Sequence, residues 1–426
     1  MTSSSTLRRA LGPWDLTAIG VNQVIGGAIF LMPSQVASVI GAWSPIAVGA
    51  MGLASMSVAL CLAELASRFE GTGGLYLYAR AAFGDFVGFE VGWMQWFARA
   101  SSQASIMAGT AVALGYYWPS LTAGWPRVVV VTTVTLVLAG INVRGIRQSA
   151  WVVNTLTIAK LAPLALFIVV GIAHVDAARL TDLPPLRAMS IRQAMGGALL
   201  LIFVYGGYEV VTVPAGEAAD PRRHVPFALV TTIAAVTAIM TLMQIVAQGV
   251  LPDLAQHATP IADAAAVFLG AGGALLVGAG SVVAMTGNNA GQVLTGSRAL
   301  FALAEHGQLP AFFGRVHARY RTPANAVVFT SAVALALALT GSFAKLAVVS
   351  ALARLVMYGS AAAATLRLRA TAGRARFVTP LGPLIPIAAI AVTIGIGVGA
   401  TRDQLMGGLI ALASGAALFA IAKAAG

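Results

Sequence analysis

Apolar runs of about twenty residues, separated by short polar stretches, recur along almost the whole chain. At 1.5 Å of rise per helical residue, a run of roughly 20 residues crosses a hydrocarbon core ~30 Å thick. About twelve runs reach that length, at approximately 14–40, 43–67, 86–116, 126–144, 149–172, 192–215, 226–250, 268–302, 324–341, 345–366, 379–400 and 403–423. The pattern predicts an all-α polytopic membrane protein with about twelve transmembrane helices.

Two of these runs are broken by paired glycines. The first reads Gly20-Val21-Asn22-Gln23-Val24-Ile25-Gly26-Gly27-Ala28-Ile29-Phe30, and the second Phe203-Val204-Tyr205-Gly206-Gly207-Tyr208-Glu209. An unwound backbone inside a bilayer leaves N–H and C=O groups unpaired, which is tolerated only where protein, water or a ligand satisfies them. Interrupted helices at matching places in two halves of a chain therefore mark a binding site at the midplane. Small residues also serve helix packing in membranes, the plainer reading of the same glycines.

Composition fits lipid: 58% of the 426 residues are hydrophobic, 9% are charged and the mean hydropathy is +0.86. A formal net charge of +12 would point to nucleic acid in a soluble protein. Here the basic residues fall in alternate loops instead, with about 17 on one side against about 6 on the other. The rich side holds Arg8/Arg9, Arg68/Arg80, Arg144/Arg147, Arg222/Arg223, Arg298 through Arg321, Arg367 through Arg376 and Lys423. It is read as cytoplasmic, with both termini inside, and nucleic acid drops out as a partner. Met1 to Leu11 is short and polar, unlike a cleavable leader. The lone Cys61 lies in an apolar run, reads as a small core residue and can form no intrachain disulfide.

Three basic side chains, Arg99, Lys160 and Arg354, sit too deep in their runs for snorkelling. Lys160 is about ten residues, or roughly 15 Å, from either end of its run. An intramembrane charge is a functional-site hypothesis by default, and the competing reading is a buried ion pair that locks helices together. Glu209, just past the second break, is the acid available to partner either arginine or to carry a proton.

Four blocks carry a resemblance. They are Gly26 through Pro33; Ala63-Glu64-Leu65-Ala66-Ser67-Arg68-Phe69 with Gly73 through Arg80; Gly206-Gly207-Tyr208-Glu209 with Gly216 through Pro226; and Gly296 through Pro310 with Arg321 through Ala326. In that order and spacing the chain resembles a permease of the amino acid–polyamine–organocation (APC) superfamily. The resemblance implies five-plus-five inverted repeats with broken helices one and six, forming a ten-helix core over 14–366. It also implies a tail at 1–13, two additional helices at 379–426, and a substrate held between helices one, three, six, eight and ten. A major-facilitator plan also has twelve helices, yet it does not call for both breaks.

The chemistry of the breaks suits an α-amino acid. A half-helix starting near Gly26 aims free N–H groups and its positive dipole end at the cavity, which favours a carboxylate. Carbonyls open at Val24 and Ile25, and from Phe203 to Gly206, suit an ammonium group. The family's first-helix motif is often Gly-Ser-Gly, and here Gly27 and Ala28 replace its last two residues, removing a hydroxyl and adding a methyl. The resemblance places Phe203 as an aromatic lid, with Tyr205 and Tyr208 beside it, and Arg99, Ser102 and Gln103 facing the cavity. Asn288 and Asn289 are candidates for side-chain contacts. The substrate-site set is thus Val24, Ile25, Gly26, Gly27, Ala28, Arg99, Ser102, Phe203, Tyr205, Gly206, Gly207, Glu209 and Asn288.

Lys160, in Thr157-Ile158-Ala159-Lys160-Leu161-Ala162-Pro163, matches a helix-five lysine that in several APC members stands where sodium-coupled relatives hold a cation. Burial disfavours a charged ammonium, so the resemblance implies proton symport or sodium-independent exchange, with Lys160 as the coupling residue. The function expected is secondary active transport of an amino acid across the cytoplasmic membrane, by symport or antiport. Cationic amino acids or polyamines are the alternative substrates, argued from Glu209. A transport-inactive nutrient sensor would usually show long soluble tails, and a channel a continuous polar lining; neither is seen. No metal-ligand spacing and no phosphate loop appears, so no enzyme activity, cofactor or metal is expected. The partners are then a small amino acid, protons and the bilayer.

Overall fold

The computed structural model describes residues 11–69, 74–144 and 150–424. The tail expected at 1–13 lies outside the described residues up to residue 10, as do Arg8, Arg9, Gly73 and Arg147. Among the described residues there is no strand, and one isolated bridge joins Leu11 to Ala218.

Each apolar run becomes a helix or a broken pair. The first gives α1 (Pro13–Val24) and α2 (Ala28–Ile40), separated by Ile25, Gly26 and Gly27. There follow α3 (Ser44–Ala66), the short α4 (Leu75–Phe83), α5 (Asp85–Gly115), α6 (Gly124–Arg144), α7 (Ala150–Gly171) and a one-turn α8 (Ala178–Thr181). The sixth run splits into α9 (Ile191–Tyr205) and a 3₁₀ segment, Tyr208–Glu217. After it come α10 (Pro221–Val250), α11 (Pro260–Glu305), α12 (Ala324–Thr340), α13 (Phe343–Thr371), α14 (Leu384–Val398) and α15 (Arg402–Ala424). Starts are set by local chemistry: α9 opens on a Ser190 cap whose Oγ accepts from Gln193 N, and prolines begin α1, α3, α10 and α11, where a missing N–H costs nothing. α11 reaches further back than its apolar run because it bends at Gly270, whose φ of 66° only glycine adopts cheaply.

Packing follows a two-fold pattern. α1 lies against the 3₁₀ segment and α2 against α9, so the broken pairs cross; α3 runs along α10, and α5 along α11. α6 packs on α12, while α7 on α11 is matched by α13 on α5. Most of these contacts pair elements five spans apart, the arrangement expected of a five-plus-five repeat. Outward faces remain apolar, as at Leu136, Leu276, Val328, Leu409 and Ile421, which fits a protein whose solvent is hydrocarbon.

The end of α3 is stapled to α13. The buried Glu64 carboxylate accepts from Arg369 Nε at 2.8 Å and Nη2 at 2.5 Å, from Arg68 Nη2 at 3.3 Å, from Thr379 N at 2.9 Å and from the Thr379 hydroxyl. Five donors on two oxygens offset the cost of burying this charge. They also fix the turn before α14, so α14 begins at Leu384, later than its apolar run.

Candidate functional site

Both breaks lie side by side at the centre of the bundle. At the first, Gly26 N donates to Val24 O at 2.8 Å, and among the described residues Gly27, Ala28 and Ile29 donate no backbone bond. The free donors at the start of α2 thus begin one residue later than Gly26. At the second, Gly206 N donates to Phe203 O at 3.1 Å, and Gly207 has φ 131°, a conformation closed to most side chains. Val24 O and Phe203 O, expected to be open, each hold one bond and keep one lone pair.

A small cavity separates the breaks. Its lining includes the expected Val24, Gly26, Gly27, Ala28, Ser102, Phe203, Gly206 and Asn288, joined by Gln23, Ile106, Val204, Gln292 and Arg354. It has room for about one water molecule, so anything larger enters only as these side chains part. The glycines are already in close contact with protein: a Cβ on Gly26 would overlap the Asn288 amide, and one on Gly27 the Met285 side chain. One on Gly206 would overlap the Arg354 guanidinium. Phe203 closes the cavity from the α9 side, its ring edge-on to Phe343 at 6.0 Å.

Behind the cavity lies a charge cluster centred on Glu209. Arg99 Nη2 and Arg354 Nη1 donate to Glu209 Oε1 at 2.9 and 3.0 Å; Tyr358 OH and Gly207 N donate to Oε2 at 3.0 and 2.8 Å. All three charged side chains are 1% exposed, and two guanidiniums against one carboxylate leave one formal positive charge in excess. Arg354 Nη2 also donates to Ser102 Oγ at 2.8 Å, which is linked to Ser350 Oγ. Arg354 Nε has no partner among the described residues.

A second chain of polar groups joins α5, α11 and the first break. Arg99 Nη1 donates to Gln292 Oε1 at 3.4 Å, Gln292 Nε2 to Asn288 Oδ1 at 3.3 Å, and Asn288 Nδ2 to Gln23 O at 3.0 Å. Lys160 stands apart, donating from Nζ to Asn22 Oδ1 at 2.9 Å, with Gly287 of α11 beside its stem. It thereby links α7 to α1 by a hydrogen bond and lies alongside α11.

Not every expected residue meets the cavity. Ile25 is buried outside its lining, and Tyr205 turns away, its OH donating to Val48 O at 2.9 Å. Arg99, Gly207 and Glu209 form the wall behind it. Gln103 and Asn289 are buried without partners among the described residues. Sequence reasoning missed Gln23, Gln292, Ser350 and Tyr358. Their signal was helical spacing: Ser350, Arg354 and Tyr358 recur every four residues, as do Asn288 and Gln292, and each set lies on one face.

Comparison with known proteins turns this geometry into a family assignment. Residues 11–410 match the family model described as amino acid permease. The chain belongs to that family. This permease is 32% identical to the serine/threonine exchanger SteT of Bacillus subtilis over 92% of its own length and 90% of the relative's. It is 26% identical to the methylthioribose transporter of B. subtilis, covering 91% and 87% of the two chains. With the arginine/ornithine antiporter of Pseudomonas aeruginosa the identity is 29%, over 78% and 70%. Family and relatives are transporters, and the permease is a multi-pass membrane protein of an amino acid permease family.

Proposed function

We propose that the protein is a secondary active carrier of a neutral or acidic amino acid, working by alternating access and without sodium. It resides in the cytoplasmic membrane with both termini inside, as the arginine and lysine bias of the loops supports. The ten helices at 14–366 form the transport core, and the two after residue 379 are additional. The observation that carries the reading is the cavity between the two breaks, with free N–H groups at the start of α2 on one side and Arg354 on the other. A carboxylate is favoured by the helix end, and the lone pairs left on Val24 O and Phe203 O suit an ammonium.

Substrate charge follows from the Glu209 cluster. Its carboxylate already accepts from two arginines, a tyrosine and a backbone N–H, so it has little left for a cationic side chain. The excess positive charge and the unpartnered Arg354 Nε favour an acceptor on the substrate side chain instead. Cationic amino acids and polyamines are disfavoured for the same reason. Coupling is assigned to Lys160, whose ammonium between α7, α1 and α11 makes a bound cation there superfluous.

The test is uptake and exchange of a labelled amino acid panel in proteoliposomes, with sodium replaced by choline and with a pH gradient imposed or collapsed. Saturable transport of neutral or acidic members, independent of sodium, supports the reading. Transport confined to cationic members or polyamines, or strict sodium dependence, overturns it.

A further inference from the structure

Glu90 lies on α5 one and a half turns in from Asp85, on the face covered by α15. It is 9% exposed, and neither carboxyl oxygen has a hydrogen-bond partner among the described residues. A Cβ built on Gly415 of α15 would lie 2.9 to 3.0 Å from those oxygens, so the carboxyl is pressed against the backbone of that helix. Beside it, Trp93 Nε1 donates to Ala411 O at 2.8 Å, and Phe86 and Phe89 both meet the Phe419 ring. The lid over Glu90 is therefore apolar and close-fitting.

Among the described residues no cation pairs with the group. On α4 and α5, Arg80 and Asp85 pair with each other, and Arg99 is committed to Glu209. From α13, Arg367 donates to Ala82 O, and Arg369 is bound to Glu64. From α11, Arg298 donates to Leu294 O and Glu305 is exposed; α12 carries no ionisable side chain. On α15, Lys423 is exposed two turns beyond Gly415, and Arg402 and Asp403 stand at its other end. A carboxylate buried with neither donor nor counter-charge costs far more than a buried carboxylic acid.

We propose that Glu90 is a proton-binding site of the transport cycle, held as the neutral acid while α15 covers it and ionised when α15 moves aside. The proton taken up comes from water at the nearby helix end, and on release it returns to water from the carboxyl oxygen. The covering helix is suited to such movement. Ala411 and Gly415 are its only residues buried among those described, and an apolar cavity lined by Met94, Leu352, Leu355, Leu405 and Leu409 lies beside it. Glu90 and Lys160 lie on different helices, and the substrate cavity touches neither. Proton binding stands independently of the carrier reading; its link to turnover rests on that reading.

Infrared difference spectroscopy on the intact permease in lipid tests the site without needing transport. A protonated-carboxyl band at neutral pH is expected in wild type, lost in Glu90→Gln and shifted in Glu90→Asp. Glutamine mimics the neutral acid, so this variant is expected to fold. In proteoliposomes its rate should lose at least half of the wild-type change across pH 5 to 8. A band unaltered in Glu90→Gln overturns the proton site. A band lost with an unchanged pH profile overturns its part in the cycle. Failure of wild type to transport any amino acid while the band is lost would overturn the carrier reading and leave the proton site standing. If Glu90→Gln does not fold, a wild-type band insensitive to Glu90→Asp overturns the proposal.

Discussion

Arg354 and Glu209 meet across the second helix break, Nη1 to Oε1 at 3.0 Å, with the guanidinium lying where a side chain on Gly206 would have to be. The glycine, the arginine and the acid are thus one unit. A residue with any Cβ at position 206 would displace the arginine from the carboxylate it shares with Arg99.

That unit predicts an unequal pattern of losses. Glu209→Ala leaves two guanidiniums buried together and should cost about 3–5 kcal/mol of stability. Arg99→Ala alone leaves Glu209 paired with Arg354 and should cost less. The double variant Arg99→Ala/Glu209→Ala should be more stable than Glu209→Ala, because the uncompensated pair of cations is gone. Thermal unfolding in detergent reads all three, and additive losses would contradict the shared network.

Gly26 should tolerate no side chain in the closed site. Gly26→Ala pushes into the Asn288 amide, which holds Gln23 O. Substrate affinity should fall at least tenfold, while Gly20→Ala, crowding Thr232 well away from the cavity, should affect stability more than affinity. Equal affinities for wild type and Gly26→Ala, measured by substrate-dependent thermal shift, would show that the break does not read the substrate.

Much of this was legible in the chain. Run length alone located the spans, because hydrocarbon thickness fixes how many apolar residues a helix needs. The glycine pairs located both breaks, and depth singled out Arg99, Lys160 and Arg354. What run length does not reveal is which side of a helix is covered. Glu90 stands near the start of its span, where a carboxyl reads as reaching for water, and only the docking of α15 buries it. Gln23 and Gln292 were hidden likewise: a polar side chain in a helix reports its neighbours only once the helices are placed.

Lys160→Ala should separate exchange from accumulation. With the ammonium gone from Asn22, counterflow of labelled substrate should persist within about threefold, while uphill uptake driven by a pH gradient should disappear. Choline for sodium should change neither protein. An alanine variant that still concentrates substrate would move the coupling elsewhere.

Glu64→Gln tests the staple between α3 and α13. The amide keeps the shape but loses the charge that Arg68 and Arg369 share, so about 3–5 kcal/mol of stability should go. Glu64→Gln/Arg369→Gln should recover part of it. Unfolding temperature measures both.

The bridge between Leu11 and Ala218, in which Ala219 N donates to Leu11 O at 3.0 Å, ties the chain before α1 to the end of the 3₁₀ segment. Each of those segments hangs from one glycine pair, Gly26–Gly27 or Gly206–Gly207. Under the carrier reading, a unit joined in this way would swing on two hinges at once, and both hinges are places where no helical ladder spans the joint. Such a rotation would break side-chain bonds such as Asn288 to Gln23 O and Arg354 to Glu209, and would leave the helices on either side intact.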